Sequence, residues 1–409
     1  MSELVRRRGT DERAPAADRP FRRRCTRELR RVRAVPQRPW ARAVAAALAA
    51  LLIWLSWSLG QALTAPGDDS VAARVADWGR NNHLGPVVTL VETLQYDLHP
   101  PRVGGRPAIA LRPAAPPGGA VAHAAPRKAV VALPPRLVPP AGPPLPGEGT
   151  WQVLRTVAGR PAVIAAYLRP DAQHTSYVAA VASLDPRLLR FELHPGWSDP
   201  GPANWGAPYD VPAGGRTNLV ATFNGGFKIN ESGGGFYLDG TTRGTLTPGD
   251  ASLVFYRDGH VAVGVWGRDV SMTGQVVGVR QNLRLLVDHG VVPASVDTNI
   301  ESGWGLTIGG AYFVWRSGIG VTADGRVVFV YGPALSVRTL ADLLQRAGCV
   351  EAMQLDINPA WMSFMYYRPP VGGADPVPVK LLDGQQRPAD RYYSTTSRDF
   401  VAVFARSAG

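Results

Sequence analysis

The chain has 409 residues, 45% of them hydrophobic, which is enough to build a sizeable core and excludes global disorder. Its formal charge of +12 is concentrated in residues 1–42, which hold 14 Arg against five acidic groups; the near-neutral remainder excludes a basic nucleic-acid-binding body. Two cysteines, Cys25 and Cys349, exclude a disulfide scaffold and a Cys-based zinc centre, and neither G-x-x-x-x-G-K-[ST] nor G-x-S-x-G occurs.

The first predicted element follows the Arg-rich tail. Residues 43–63 (AVAAALAALLIWLSWSLGQAL) carry no charged side chain. A helix of that length measures about 31 Å, the thickness of a bilayer core, and Trp54 and Trp57 suit an interface. A cleaved signal peptide is the alternative reading, but its apolar region is usually about 7–15 residues. The expectation is a retained single-pass anchor in the plasma membrane, with the Arg-rich N-terminus cytoplasmic and the C-terminal residues extracellular.

Residues 64–99 form a juxtamembrane segment that reads as two short helices broken at Gly85-Pro86. Val71, Val75 and Trp78 share one apolar stripe, and Val87, Leu90, Val91 and Leu94 another; a packing surface near the membrane is the expected role. Residues 100–148 contain 14 Pro, a composition that predicts an extended arm of roughly 150 Å when fully stretched.

From residue 149 the texture changes to short β-rich runs. Strands are expected at 151–157, 162–168, 177–184, 188–193, 218–223, 252–256, 261–266, 283–287, 311–314, 327–331, 352–355 and 400–404. Asp258-Gly259 signals a tight hairpin, and Asp324-Gly325 precedes another strand. Gly233-Gly234-Gly235 reads as a mobile tip or a plain loop. One clear helix is predicted over 337–347, with Ser336 as N-cap and Gly348 at C′. Many strands with few helices give an α+β class: a β-rich mixed-sheet extracellular domain over 149–409, preceded by a transmembrane helix and a Pro-rich linker.

Three stretches place short polar residues at strand ends. Thr222-Phe223-Asn224-Gly225-Gly226-Phe227-Lys228 runs a strand into a sharp turn. Trp315-Arg316-Ser317-Gly318-Ile319-Gly320 sets an Arg between an aromatic strand and what reads as a flexible turn. Gln354-Leu355-Asp356-Ile357-Asn358-Pro359-Ala360-Trp361 delivers an Asp at a strand's C-terminal end.

In this order, with the helix between the last two, they resemble the phosphodiester glycosidase family, over roughly residues 210–365. Asn224–Lys228 looks like the family's Asn-Gly-Gly-Phe-Phe, Arg316–Gly320 like its Arg-Thr-Ala-Ile-Gly, and Leu355–Ala360 like its Leu-Asp-Gly-Gly-Gly-Ser. The departures are Lys228 for the second Phe and Ile357-Asn358-Pro359 for the triple Gly.

The resemblance implies hydrolysis of a sugar-1-phosphodiester, with a carbohydrate or sugar-phosphate as substrate and no nucleic acid. Such chemistry needs a cation on the phosphate and a carboxylate at the anomeric carbon or on water. Arg316 suits the phosphate, with Lys228 as a second contact, although Arg316 can equally pair with a structural carboxylate. Asp356 is the first choice of carboxylate and Glu301 the second; the bland readings are a turn former for Asp356 and a solvated group for Glu301. Asn224, Gly225, Gly226 and Asn358 are candidates for sugar binding, and Trp304, Trp361 and Tyr366 for stacking, against plain turn and core roles. No cofactor is called for. Asp297, Asn299 and Glu301 alternate as oxygen ligands do in some calcium loops, which leaves a divalent cation open. The competing reading is a non-catalytic glycan-binding or envelope scaffold protein, favoured by Ile357-Asn358-Pro359.

Overall fold

The computed structural model describes residues 39–108, 132–297, 304–305, 312–369 and 372–407. Contacts divide the chain into two units, 1–57 and 58–409. The first, where described, is most of helix α1 (Pro39–Leu63), which buries no residue and is long and apolar enough to cross a membrane or to serve as a signal sequence.

The second unit begins with the last turns of α1, then α2 (Val71–Asn81) and α3 (Gly85–Leu98). The Gly85-Pro86 pair does not break a helix; it starts α3. Proline fits a first helical turn, where its missing N–H has no partner to lose, and the break falls at Asn82–Leu84 instead.

The strands follow in chain order: β1 (Gln152–Val157), β2 (Arg160–Leu168), β3 (Ala179–Leu184), β4 (Leu189–His194), β5 (Leu219–Asn224), β6 (Phe236–Leu238), β7 (Thr241–Arg243), β8 (Ala251–Tyr256) and β9 (Val261–Val265). After them come β10 (Val276–Gln281), β11 (Leu285–Val287), β12 (Val314–Thr322), β13 (Val327–Leu335), β14 (Cys349–Gln354), β15 (Phe364–Arg368), β16 (Val377–Lys380) and β17 (Phe400–Ala405). A short α4 (Ile229–Ser232) follows β5, and α5 (Val337–Arg346) joins β13 to β14.

They build a seven-stranded sheet in the order β1-β2-β3-β13-β12-β14-β11 and two five-stranded sheets, β7-β6-β10-β8-β9 and β16-β15-β5-β17-β4. The large sheet is covered on both faces, and β2 shows how. Val163, Ala165 and Tyr167 point into the core shared with the two smaller sheets, whereas Ile164, Ala166 and Leu168 point to the side packed by α5. A strand apolar at every position is the sequence signature of such double burial. The fold is α+β and sheet-rich, as its class was read.

Helix α5 begins at Ser336, whose hydroxyl accepts the Thr339 N–H at 3.0 Å, and ends before Gly348 at φ +90°. The stretch Arg316–Gly320 is not a turn. It lies inside β12, because Gly318 and Gly320 make room for neighbours. A Cβ on Gly318 would stand 3.0 Å from Leu344 of α5, and one on Gly320 2.7 Å from the Ala352 Cβ. Gly234 and Gly235 are packed as closely, against Gln281 and Thr245, so they are no mobile tip. Packing of the sheet domain reaches back before residue 149: Glu148 is fully buried, with Arg169 Nη2 3.0 Å from its Oε2.

Candidate active site

Asp356 lies just past the end of β14, and its main chain is held on both sides. The Ser317 N–H and Oγ–H donate to the Asp356 carbonyl at 3.2 and 2.7 Å, and the Asp356 N–H donates to the Gly225 carbonyl at 3.2 Å. Behind this clamp stands Asn224. Its Nδ2 donates to Ser317 Oγ at 3.0 Å and its Oδ1 accepts the Ser363 N–H at 3.0 Å. The first and last motifs therefore meet through the second.

The Asn-Gly-Gly turn is required by packing. A Cβ on Gly225 would fall 1.9 Å from Asp399 Oδ2, and one on Gly226 3.2 Å from the Arg280 guanidinium. Arg280 and Asp399 form a buried ion pair at 2.9 Å beneath the turn.

The Asp356 side chain is buried, with Oδ1 accepting the Asn358 N–H at 2.8 Å and Oδ2 3.3 Å from Arg398 Nη2. Burial pushes its pKa up to about 6, against the downward pull of the Arg398 charge. Burial works against the Arg398 guanidinium too, but Asp356, Asp199, Asp77 and Glu231 hold it above its ordinary range. Arg398 Nη2 also donates to the Gly226 carbonyl at 3.3 Å, while its buried Nε has no hydrogen-bond partner among the described residues.

This pair faces a cleft of about 850 Å³ whose walls include Phe227, Lys228, Glu231, Gly305, Ile357, Asn358 and Trp361. The opposite wall is Asp77 and Arg80 of α2 with Pro86, Thr89, Leu90 and Thr93 of α3. Helices α2 and α3 are thus a side of the cleft, beyond the plain packing role expected of them. Two contacts hold them there: Lys228 Nζ lies 2.7 Å from Asp77 Oδ1, and Arg387 pairs with Asp69 while donating to the Asp68 carbonyl at 2.8 Å. A smaller cavity of about 420 Å³, lined by Arg190, Glu192, His194 and Tyr256 among others, contains none of the three motifs.

Of the candidates read from the sequence, Lys228, Asp356, Asn358 and Trp361 line the cleft. Asn224, Gly225 and Gly226 stand behind it as the scaffold just described. Trp361 is buried under arginines, with the Arg387 and Arg398 guanidinium carbons 4.5 and 5.5 Å from its ring centre. Arg316 does not line the cleft. Its guanidinium is buried and donates to the Leu335 carbonyl at 2.9 Å and to Gln354 Oε1 at 3.0 Å, and burial pushes its pKa down to about 10. Adjacent residues of a strand point to opposite faces, so Ser317 reaches Asp356 and Arg316 turns away.

Trp304 is buried beside α5, and its Nε1–H donates to the Ser295 carbonyl at 2.9 Å. Tyr366 is in the main core. Glu301 and Asn299 lie outside the described residues, and Asp297 pairs with Arg338. At the other end of β14, ligand atoms of Asp288, His289 and Glu351 come within 4.8 Å of one another, but Arg268 already takes both Asp288 oxygens at 2.7 and 3.0 Å.

Arg398 was not anticipated, nor were Asp77 and Glu231. Arg398 stands two residues before the last core strand with no motif around it, and its meaning depends on β17 pairing with β5, 176 positions earlier at Phe400↔Asn224; register, not local pattern, brings it to Asp356.

Residues 217–356 match the model of the phosphodiester glycosidase family, the family to which the three motifs point. Among solved structures, the chain is similar to the catalytic domain of zebrafish N-acetylglucosamine-1-phosphodiester alpha-N-acetylglucosaminidase, auto-inhibited by its pro-peptide. The two share 14% identity over 63% of this chain and 88% of that one, with a TM-score of 0.40. A hypothetical protein from Synechocystis is similar at 13% identity over 62% of this chain and 64% of that one, with a TM-score of 0.32. No curated protein matches the chain.

Proposed function

We propose, for a chain whose residues 217–356 match the phosphodiester glycosidase family, that the cleft hydrolyses a sugar-1-phosphodiester. The observation that carries this reading is the buried Asp356–Arg398 pair at 3.3 Å, facing a cleft that also holds Lys228. The phosphate sits against Arg398, whose charge suits an oxyanion, with Lys228 as the second cation. Arg398 thus takes the role first considered for Arg316. Asp356 in its charged form supports the cationic anomeric carbon or takes a proton from the attacking water. Phosphate leaves readily, so the site has little need of a strong acid. In this reading α1 is a retained anchor, the Arg-rich tail is cytoplasmic and the sheet domain is outside the plasma membrane, acting on an envelope or exported glycan.

The test is release of reducing sugar from a glycosyl phosphodiester by the full chain. Turnover that disappears in Asp356→Asn and Arg398→Ala supports the hydrolase. A second reading, glycan binding without turnover, has one observation in its favour: both Asp356 oxygens are already engaged, one by the N–H of Asn358 in the altered Ile357-Asn358-Pro359 run. Retention of the glycan by an inert wild-type chain would establish that reading and sink the first.

A further inference from the structure

Residues 71–98 hold eight of the large exposed apolar side chains, as many as all described residues from 99 to 407 together. They are not scattered. Val87, Val91, Leu94 and Leu98 of α3 are 56, 58, 53 and 75% exposed and recur every three or four residues, so they form one stripe along the helix. The stripe avoids both partners of α3. The side carrying Glu92 meets Arg80 of α2 at 2.7 Å, and the side carrying Pro86, Thr89 and Thr93 faces the cleft.

What covers this stripe is indicated by its neighbour. The Trp78 Nε1–H of α2 donates to Ser58 Oγ in the last turns of α1, at 2.9 Å. Residues 64–70 are folded onto the same unit: Arg74 donates to the Asp69 carbonyl at 2.9 Å, and the Trp197 Nε1–H to the Pro66 carbonyl at 3.1 Å. The α2–α3 pair is therefore fixed beside the end of the apolar helix. If that helix spans a bilayer, its end lies at the headgroup layer, and an apolar stripe held at that level needs little affinity of its own to settle there.

We propose that the Val87–Leu98 face of α3 lies on the bilayer surface beside the span. The inference rests on the anchored reading of α1 and is independent of the hydrolase chemistry. Leu90, 59% exposed, borders both the stripe and the cleft, so a docked α3 opens the cleft next to the headgroups, where a lipid-linked glycosyl phosphodiester is presented. Self-association through the stripe is the competing occupant, but a 14-residue helix offers about two heptads where a coiled coil needs three or four.

The test uses the full chain in phosphatidylcholine vesicles, with Cys25→Ser and the buried Cys349 retained. Single cysteines are introduced as Val91→Cys, Leu94→Cys, Leu52→Cys in α1 and Val377→Cys on the exposed β16, and each carries a nitroxide. Power saturation compares collision with oxygen, which concentrates in lipid, and with a water-soluble nickel chelate. Labels at 91 and 94 are expected to favour oxygen, as at 52, and the label at 377 to favour nickel. Labels at 91 and 94 that favour nickel, or are shielded from both reagents as at a protein interface, overturn the docking while 52 still reports lipid. A label at 52 that reports water removes the anchor and the docking with it, and leaves the sugar-release assay as the separate test of the hydrolase.

Discussion

Lys228 Nζ and Asp77 Oδ1 are 2.7 Å apart across the cleft, so the residue that ends the Asn-Gly-Gly-Phe run is tied to a helix that begins only eight residues after α1. The pair neutralises a cation beside the one proposed to hold phosphate. Opening it changes what the cleft attracts.

Asp77→Asn is expected to free Lys228 and lower KM for an anionic glycosyl phosphodiester about five-fold, as loss of a largely buried ion pair allows. Steady-state kinetics at fixed ionic strength measures this. An unchanged KM would mean that Lys228 does not reach the substrate.

Asp356 acts as a carboxylate in the proposed reaction, and its pKa is about 6. kcat/KM should therefore rise with pH to a plateau, with a midpoint near 6. A profile that falls through that range would make Asp356 an acid instead.

The same shift has a consequence for stability, of opposite sense to that of an ordinary salt-bridged Asp. Between its usual 3.8 and about 6 the folded chain keeps a proton that the unfolded chain has lost. This group's contribution to stability therefore declines as pH rises through that window, by about 3 kcal/mol in all. Asp356→Asn should gain on wild type over the same interval in thermal unfolding measured at pH 4, 5 and 6. A stability difference that does not move with pH would contradict the burial effect.

Gly225→Ala puts a methyl carbon 1.9 Å from Asp399 Oδ2, a carboxylate held by Arg280. Overpacking usually costs about 1–3 kcal/mol, and the upper end is expected here because the obstructing group is pinned. Denaturant unfolding gives the number; a loss below about 0.5 kcal/mol would show that the turn can yield.

Asn224→Ala leaves the Ser363 N–H without its acceptor and Ser317 Oγ without one donor. The expected cost is about 1–3 kcal/mol of stability. Because Asn224 acts on Asp356 through Ser317 and the Gly225 carbonyl rather than on the substrate, kcat should fall more than KM rises. A rise in KM alone would place Asn224 in contact with the sugar.

Much of this molecule was legible in its residues because the information is local. The uncharged run at 43–63, the hairpin at Asp258-Gly259, and the helix from Ser336 to Gly348 each follow from neighbours within a few positions. Doubly buried strands such as β2 announce themselves by unbroken apolarity. The three motifs also pointed to the family whose model matches residues 217–356, and Asp356 does face the cleft.

Other features were decided only in three dimensions. Glycines at 318 and 320 read as a turn until helix α5 and the neighbouring strand explain their missing side chains. Strand parity sends Ser317 toward Asp356 and Arg316 away from it, and spacing along the chain cannot reveal which face holds the cleft. Arg398 and Asp77 have no signature at all. They reach the cleft because the pairing of β17 with β5 and the docking of α2 bring together residues that the chain keeps 176 and 151 positions apart, and such contacts are set by packing rather than by any local preference.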